Sequence, residues 1–212
     1  MTNDGNATTT NPRAGGATPR TAPKLEKLLS SAAALMAARG FTDTSIRDVA
    51  GETGFSLGGM YYYFENKEDL LFLIQENTFG SLLEMQELSL AEGGTAEARL
   101  RRLVHNHLGY FTSHFNELKV CTFELESLQG ERYDKVAELR RRYFALLAGV
   151  VGELTGDADE ARVRHRALFV FGMLNWIFMW YDGARDGSVE RLGDEMVDML
   201  LGGLTAPDGG AR

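Results

Sequence analysis

Cysteine is almost missing from this sequence. Cys121 is alone among 212 residues, so no disulfide can form within the chain and a reducing compartment, the cytoplasm, is the expected setting. Proline is scarce as well, with four residues of which three fall in the first 23, and the composition leans towards helix. Those first residues hold no apolar run, which excludes a secretory signal and marks them as an expected mobile arm. No hydrophobic stretch suits a bilayer. The most apolar one, Ala167 to Tyr181, is interrupted by Asn175 and falls short of the roughly 20 residues a span needs, so it reads as a buried core helix.

Signatures of catalysis are missing too. His105 and His107 diverge on a helix, His107 and His114 can align, and neither pair sits in a His-Glu-x-x-His or Cys/His ligand set. These three histidines therefore read as surface or satisfied core residues. Glu124 and Glu126 likewise diverge, and there is neither a phosphate-binding glycine loop nor a nucleophile elbow. No catalytic residue, metal site or cofactor is expected, and a helical enzyme is the weakest of the rival readings.

The net charge of -8 argues against a protein that coats nucleic acid indiscriminately, yet the sign is unevenly spread. Residues 12–67 carry seven Lys or Arg against five acids, so the acidic excess lies mainly beyond residue 67.

Periodicity predicts helices throughout and no strand. An apolar stripe at Leu25, Leu28, Leu29, Ala32, Leu35 and Met36 stops at Arg39-Gly40, where the glycine suits a C-terminal cap. Thr44 or Ser45 offers the N-cap of a barely two-turn helix that Gly54 ends, and Ser56 can cap a third over Leu57 to Tyr63. A long fourth helix begins near Lys67-Glu68-Asp69 and runs to about Leu90. Further helices are expected over Leu100 to Phe111, Leu118 to Leu128, Val136 to Leu154, from Asp157 or Asp159 to about Tyr181, and from Ser188 to Leu204.

Two short helices around a glycine turn form a candidate helix-turn-helix. The segment SIRDVAGETGFSLGGMYYYF (45–64), followed by Glu65 to Leu70 and preceded by Ala-Ala-Arg-Gly-Phe at 37–41, closely resembles the helix-turn-helix of the TetR/AcrR family of bacterial transcriptional regulators, over roughly residues 24–80. Physically, hydroxyls and free N–H groups at helix starts suit phosphate, which singles out Thr44, Ser45 and Ser56. Leu57, Gly58, Gly59, Tyr61 and Tyr62 would face the major groove. The resemblance places Tyr61, Tyr62 and Lys67 where the family contacts phosphate or base. Arg13, Arg20 and Lys24 could add a basic arm, the alternative being a merely solvated tail. Gly59 stands where Thr or Ser is common, Leu57 where a polar or basic residue is frequent, and Tyr62 where His is often found, so the base sequence read does not follow from the family. Met60, Tyr63 and Phe64 read as core.

The resemblance implies an all-α protein: a mobile arm (1–23), a three-helix DNA-binding head (24–70), a ligand-binding and dimerisation body (71–205) and a flexible tail (206–212). Its implied partners are double-stranded operator DNA, a small-molecule effector and a second copy of the chain, with no membrane. The last two helices, with Gly172 and its neighbours, are the expected dimer surface, ordinary core packing being the competing use of the same positions. Phe171 to Tyr181 is similar to the penultimate helix of family members responding to acyl-CoA thioesters, and Arg140-Arg141-Arg142 offers cations for such a ligand. Candidate ligand contacts are Phe123, Arg140, Tyr143, Phe169, Met173, Asn175 and Trp176. The competing view gives the arginines to a solvated face paired with Glu138 and the tryptophans to core or interface. Repressor release by an acyl-CoA is the expected function, with a drug-sensing regulator of an efflux pump as the alternative.

Overall fold

The structure, a computed structural model, describes residues 22–204, so the outer arm with Arg13 and Arg20 and the tail at 206–212 lie outside the described residues. Helix α1 (Ala22–Arg39) buries Leu28, Leu29, Ala32, Ala33 and Met36 along one stripe. It stops where Gly40 adopts φ +86° and donates its N–H to the Met36 carbonyl at 2.8 Å, a conformation that costs a glycine little.

Helix α2 (Ile46–Thr53) starts at Ser45 rather than Thr44. The Ser45 hydroxyl accepts the Asp48 N–H at 3.1 Å, while the Asp48 carboxylate accepts the Ser45 N–H at 2.9 Å, a reciprocal capping box. Bonds from the Ser45 hydroxyl and then its backbone hold the Asp48 carboxyl below its usual range. Helix α3 (Leu57–Met60) is shorter than the expected span to Tyr63, which lies in the turn after it. Gly58 and Gly59 weaken this helix, and burial of Met60 and Phe64 pulls the chain into a turn towards the head's core.

Helix α4 (Lys67–Ala91), capped by Asn66, is the spine. Its first half buries Leu70, Leu71 and Ile74 in the head's core, and its second buries Leu82 and Leu83 in the core of the body. Helices α5 (Ala96–Thr112), α6 (Phe115–Phe123), α7 (Gly130–Thr155), α8 (Glu160–Asn175), α9 (Gly183–Asp186) and α10 (Val189–Leu204) complete the chain. A 3-10 turn at Leu125–Ser127 comes after α6, and another at Trp176–Met179 after α8. Asp159 caps α8, and that helix ends at Asn175 instead of running to Tyr181. The next turn buries Ile177, and α9 is a short helix that periodicity did not indicate.

Helix α4 packs on α7 and α5, α10 packs along α5, and α1 rests on α6. The head's core is not self-contained, because Val120 of α6 and Val136 of α7 belong to it. Any displacement of α6 is therefore felt directly by the packing of α1. Among the described residues no helix is long and apolar enough to cross a membrane.

Candidate functional site

The exposed end of the head is built from the caps of α2 and α3. Ser45, Ser56, Leu57, Gly58, Tyr61 and Tyr62 are exposed, with Tyr62 74% accessible. The Ser56 hydroxyl accepts the Gly59 N–H at 3.1 Å. A Cβ on Gly59 would lie 3.1 Å from that hydroxyl oxygen, so the commoner Thr or Ser at this position would press on the cap. Thr44 is placed differently from the expectation: it is buried, and its hydroxyl donates to the Gly40 carbonyl at 2.8 Å. It closes the turn between α1 and α2 rather than facing solvent. Lys67 ties the same turn to the start of α4, its Nζ donating to the carbonyls of Phe41 at 2.7 Å and Thr42 at 2.9 Å and lying over the Phe41 ring. One N–H of that ammonium is left for an outside acceptor. Lys24 is exposed at the start of α1.

Within the body, α5, α6, α7 and α8 surround a cavity of about 470 Å³. Phe79, Phe111, Leu118, Phe144 and Phe171 make most of its wall apolar. Arg140, Tyr143 and Asn175 of the expected contacts border it. Arg140 and Tyr143, one turn apart on α7, share a face because α7 is helical throughout. Arg140 donates from Nη1 to the Cys121 carbonyl at 2.6 Å and stacks over Phe79, and it has no carboxylate partner among the described residues. Burial lowers its pKa, with the Cys121 and Tyr133 groups opposing. The Asn175 side chain has no hydrogen-bond partner among the described residues. Arg141 borders the cavity but binds Glu138 at 2.7 Å, and Arg142 points away to Glu87 at 2.6 Å. Cys121 also borders the cavity, where burial pushes its thiol up to about 12, a thiol that stays protonated and unreactive.

The remaining candidates lie elsewhere. Phe169, Met173 and Trp176 line an outward groove between α8 and α10, together with Leu168, Trp180 and Met199. Phe169 and Met199 are 69% and 60% exposed, and Gly172 leaves open space beside them. Phe123 is exposed and meets the rings of Trp176 and Phe178 edge-on, outside the cavity. Helical period separates two faces of α8, but it does not say which one looks into the subunit.

His107, expected at the surface or as a satisfied core residue, is a cavity-wall residue instead. Its Nδ1 lies 2.8 Å from the Tyr143 hydroxyl and its Nε2 has no hydrogen-bond partner. Burial pushes the ring down to about 3, opposed by a weak backbone contact with Leu174 that falls outside full hydrogen-bond geometry at Nε2. A signal for this placement exists in the sequence: His107 lies on the buried stripe of α5 with Leu103, Val104 and Phe111.

Residues 28–74 match the family described as bacterial regulatory proteins, tetR family, and residues 93–204 match the tetracyclin repressor-like C-terminal domain. The chain belongs to the TetR family. It is a DNA-binding transcriptional regulator with the family's helix-turn-helix head and all-helical body. Among relatives of this TetR-family chain is the fatty acid metabolism regulator protein of Bacillus subtilis (strain 168), 24% identical over 86% of this chain and 96% of the relative. The HTH-type transcriptional repressor KstR2 of Rhodococcus jostii (strain RHA1) is 25% identical over 85% of this chain and 91% of the relative. The fold also matches that of AibR in complex with isovaleryl coenzyme A and operator DNA, with a TM-score of 0.72 and 24% identity over 84% of this chain and 98% of the other.

Proposed function

We propose that this regulator is a homodimeric, cytoplasmic repressor that an acyl-CoA thioester releases from a pseudo-palindromic operator. Arg140 carries the reading. A half-buried guanidinium facing an apolar cavity with no acid beside it is costly to keep unless something anionic or strongly polar enters. A thioester of CoA supplies both halves of that complement, an apolar acyl chain and an oxygen-rich anionic carrier. The names of the relatives fit this class: a fatty acid metabolism regulator, and a solved complex with isovaleryl coenzyme A.

The exposed groove on α8 and α10 supports the dimer. A patch including Phe169, Trp176, Trp180 and Met199 is more apolar surface than a monomer comfortably leaves in water, and a two-fold axis would bury it against its own copy. Dimerisation sets two heads on successive major grooves, with Ser56 to Tyr62 as the reading surface.

Release follows from a shift between two arrangements of the body. Arg140 holds the Cys121 carbonyl of α6, and the next turn carries Glu124, which touches both the head and α4. A ligand oxygen competing for Arg140 frees α6, and the change reaches the head through that turn.

Fluorescence anisotropy on DNA from upstream of the protein's own gene, with and without a panel of acyl-CoA thioesters, tests the reading. Specific binding released by a thioester but not by free CoA or fatty acid is expected. The variant Arg140→Met should lose the response by at least tenfold in effector concentration, on the scale of one charge-assisted hydrogen bond, and, because it also frees the Cys121 carbonyl, should weaken operator binding in the absence of effector. An undiminished response in that variant would favour a sensor of hydrophobic drug-like ligands instead.

A further inference from the structure

His107 is 1% exposed and its ring borders the same cavity. The protonation of the ring follows from a chain of buried contacts that begins at a backbone carbonyl. Gln86 lies 3.0 Å from the Leu103 carbonyl, which only accepts, so the Gln86 atom facing it is the amide nitrogen. That assignment is consistent with Asn106 Nδ2, which donates to Gln86 Oε1 at 3.2 Å. The Gln86 nitrogen also approaches the Tyr143 hydroxyl at 3.5 Å. Tyr143 therefore has a donor on one side and His107 Nδ1 at 2.8 Å on the other.

Two arrangements satisfy these distances. If Nδ1 carried the proton, the buried Tyr143 hydroxyl would face two donors and its own proton would have no acceptor, while Nε2 would be left as an empty acceptor. If Tyr143 donates to Nδ1, every group in the chain is satisfied except Nε2–H. The second arrangement leaves one buried orphan rather than two and is favoured because each unmatched buried polar group is costly. The ring is thus neutral with its proton on Nε2, and this cavity-lining residue holds an N–H donor that the nearby Leu174 backbone does not satisfy with a full hydrogen bond.

We propose that the Nε2–H of His107 is a recognition point for an uncharged oxygen acceptor in the acyl part of the effector, either the thioester carbonyl or a keto or hydroxyl oxygen along the chain. The inference rests on the thioester reading and narrows it to acyl groups that place such an oxygen beside α5. Phe111, tilted against the ring with centroids 4.7 Å apart, and Phe171 at 6.3 Å flank the imidazole with apolar surface. A buried donor left unmatched discriminates strongly against ligands that lack the acceptor. Tyr143, Gln86 and Asn106 act as positioning residues that fix the tautomer.

The test uses the full chain labelled with ¹⁵N and three probes: octanoyl-CoA, a keto-substituted octanoyl-CoA, and the S-octyl thioether of CoA, which has no acyl oxygen. Long-range ¹H–¹⁵N spectra of the free protein should show His107 protonated at Nε2. A bound probe carrying the right oxygen should move that resonance, and the thioether should not. If the thioester carbonyl is the acceptor, octanoyl-CoA should bind more tightly than the thioether; if a chain oxygen is, only the keto probe should gain. The variant His107→Phe should weaken the favoured probe by roughly ten- to hundredfold and the thioether by no more than about twofold. A ring protonated at Nδ1, an Nε2 resonance unmoved by every probe that binds, or equal losses for thioether and thioester in the variant would each overturn the inference. The spectra need no variant, so the outcome does not depend on how His107→Phe folds. Binding by none of the three probes would be a distinct result, removing the thioester reading itself and this inference with it.

Discussion

The carboxylate of Glu124 accepts the backbone N–H of Phe41 at 3.1 Å, joining the turn after α6 to the turn between α1 and α2 across 83 residues of sequence. Its other oxygen accepts the Ser127 hydroxyl at 2.8 Å, and its backbone carbonyl accepts Gln75 Nε2 of α4 at 3.1 Å. One residue thus touches the head, the spine and the cavity's flanking turn. Lys67 closes the head's side of the contact by holding the Phe41 carbonyl.

Replacing Glu124 with alanine should leave the partly buried Phe41 N–H unmatched, at a cost of about 1–3 kcal/mol. For a chain of this size each kcal/mol corresponds to a fall of about 2–4 °C in Tm. Glu124→Gln keeps an acceptor oxygen and should lose much less. If Glu124 is the coupling element, Glu124→Ala should also shrink the ratio of operator affinities measured with and without effector. Equal ratios in wild type and variant would dispose of that role while leaving the stability effect.

The salt dependence of operator binding separates two roles for Lys67. A lysine that neutralises a phosphate lowers the slope of log K against log salt by about 1 when it is replaced. Lys67 already donates to two carbonyls of its own chain. If the bond to phosphate exists in addition, Lys67→Met should lower both slope and Tm; a purely internal role should lower Tm with the slope unchanged.

Acid should destabilise the protein through His107. Its folded pKa, about 3, lies below the ordinary value of 6.5, so between those pH values the unfolded chain binds the extra proton and stability falls as pH falls. Above pH 6.5 both states are neutral and the effect vanishes. At pH 5 the loss from this residue is about 2 kcal/mol. Denaturant titrations at about pH 7.5 and about pH 5 should show a smaller difference for His107→Phe than for wild type.

A charge placed in the apolar groove should undo self-association. Phe169 is 69% exposed on α8, so Phe169→Glu should cost the isolated subunit little and penalise a buried two-fold interface heavily, with two like charges near the axis. Sedimentation should then show a monomer with wild-type helicity, and operator affinity should drop by at least a hundredfold as the second half-site is lost.

Local chemistry made much of this molecule legible from its sequence. Ser45, Ser56 and Asp159 cap helices, and Gly40, Gly54 and Gly156 end them, because capping is decided within a few residues of chain. The helix-turn-helix spacing, the buried stripe of α1 and the common face of Arg140 and Tyr143 are local in the same sense. Where local signals misled, tertiary packing overrode them. The third helix stops at Met60 because glycines weaken it and the core takes Met60 and Phe64, while α8 stops at Asn175 because the next turn buries Ile177.

The class of fold, the helix-turn-helix head and the shared face of Arg140 and Tyr143 are written in the sequence, since periodicity, caps and motif spacing are properties of neighbouring residues. Which apolar face of α8 looks inward, and which carries Phe169, Met173 and Trp176 to the surface, is settled in three dimensions alone. So are the burial of Thr44, the meeting of His107 with Tyr143 and the approach of Glu124 to Phe41. The last two contacts join residues far apart in the chain, and all three depend on the packing of whole helices against one another, a long-range condition that no local pattern encodes.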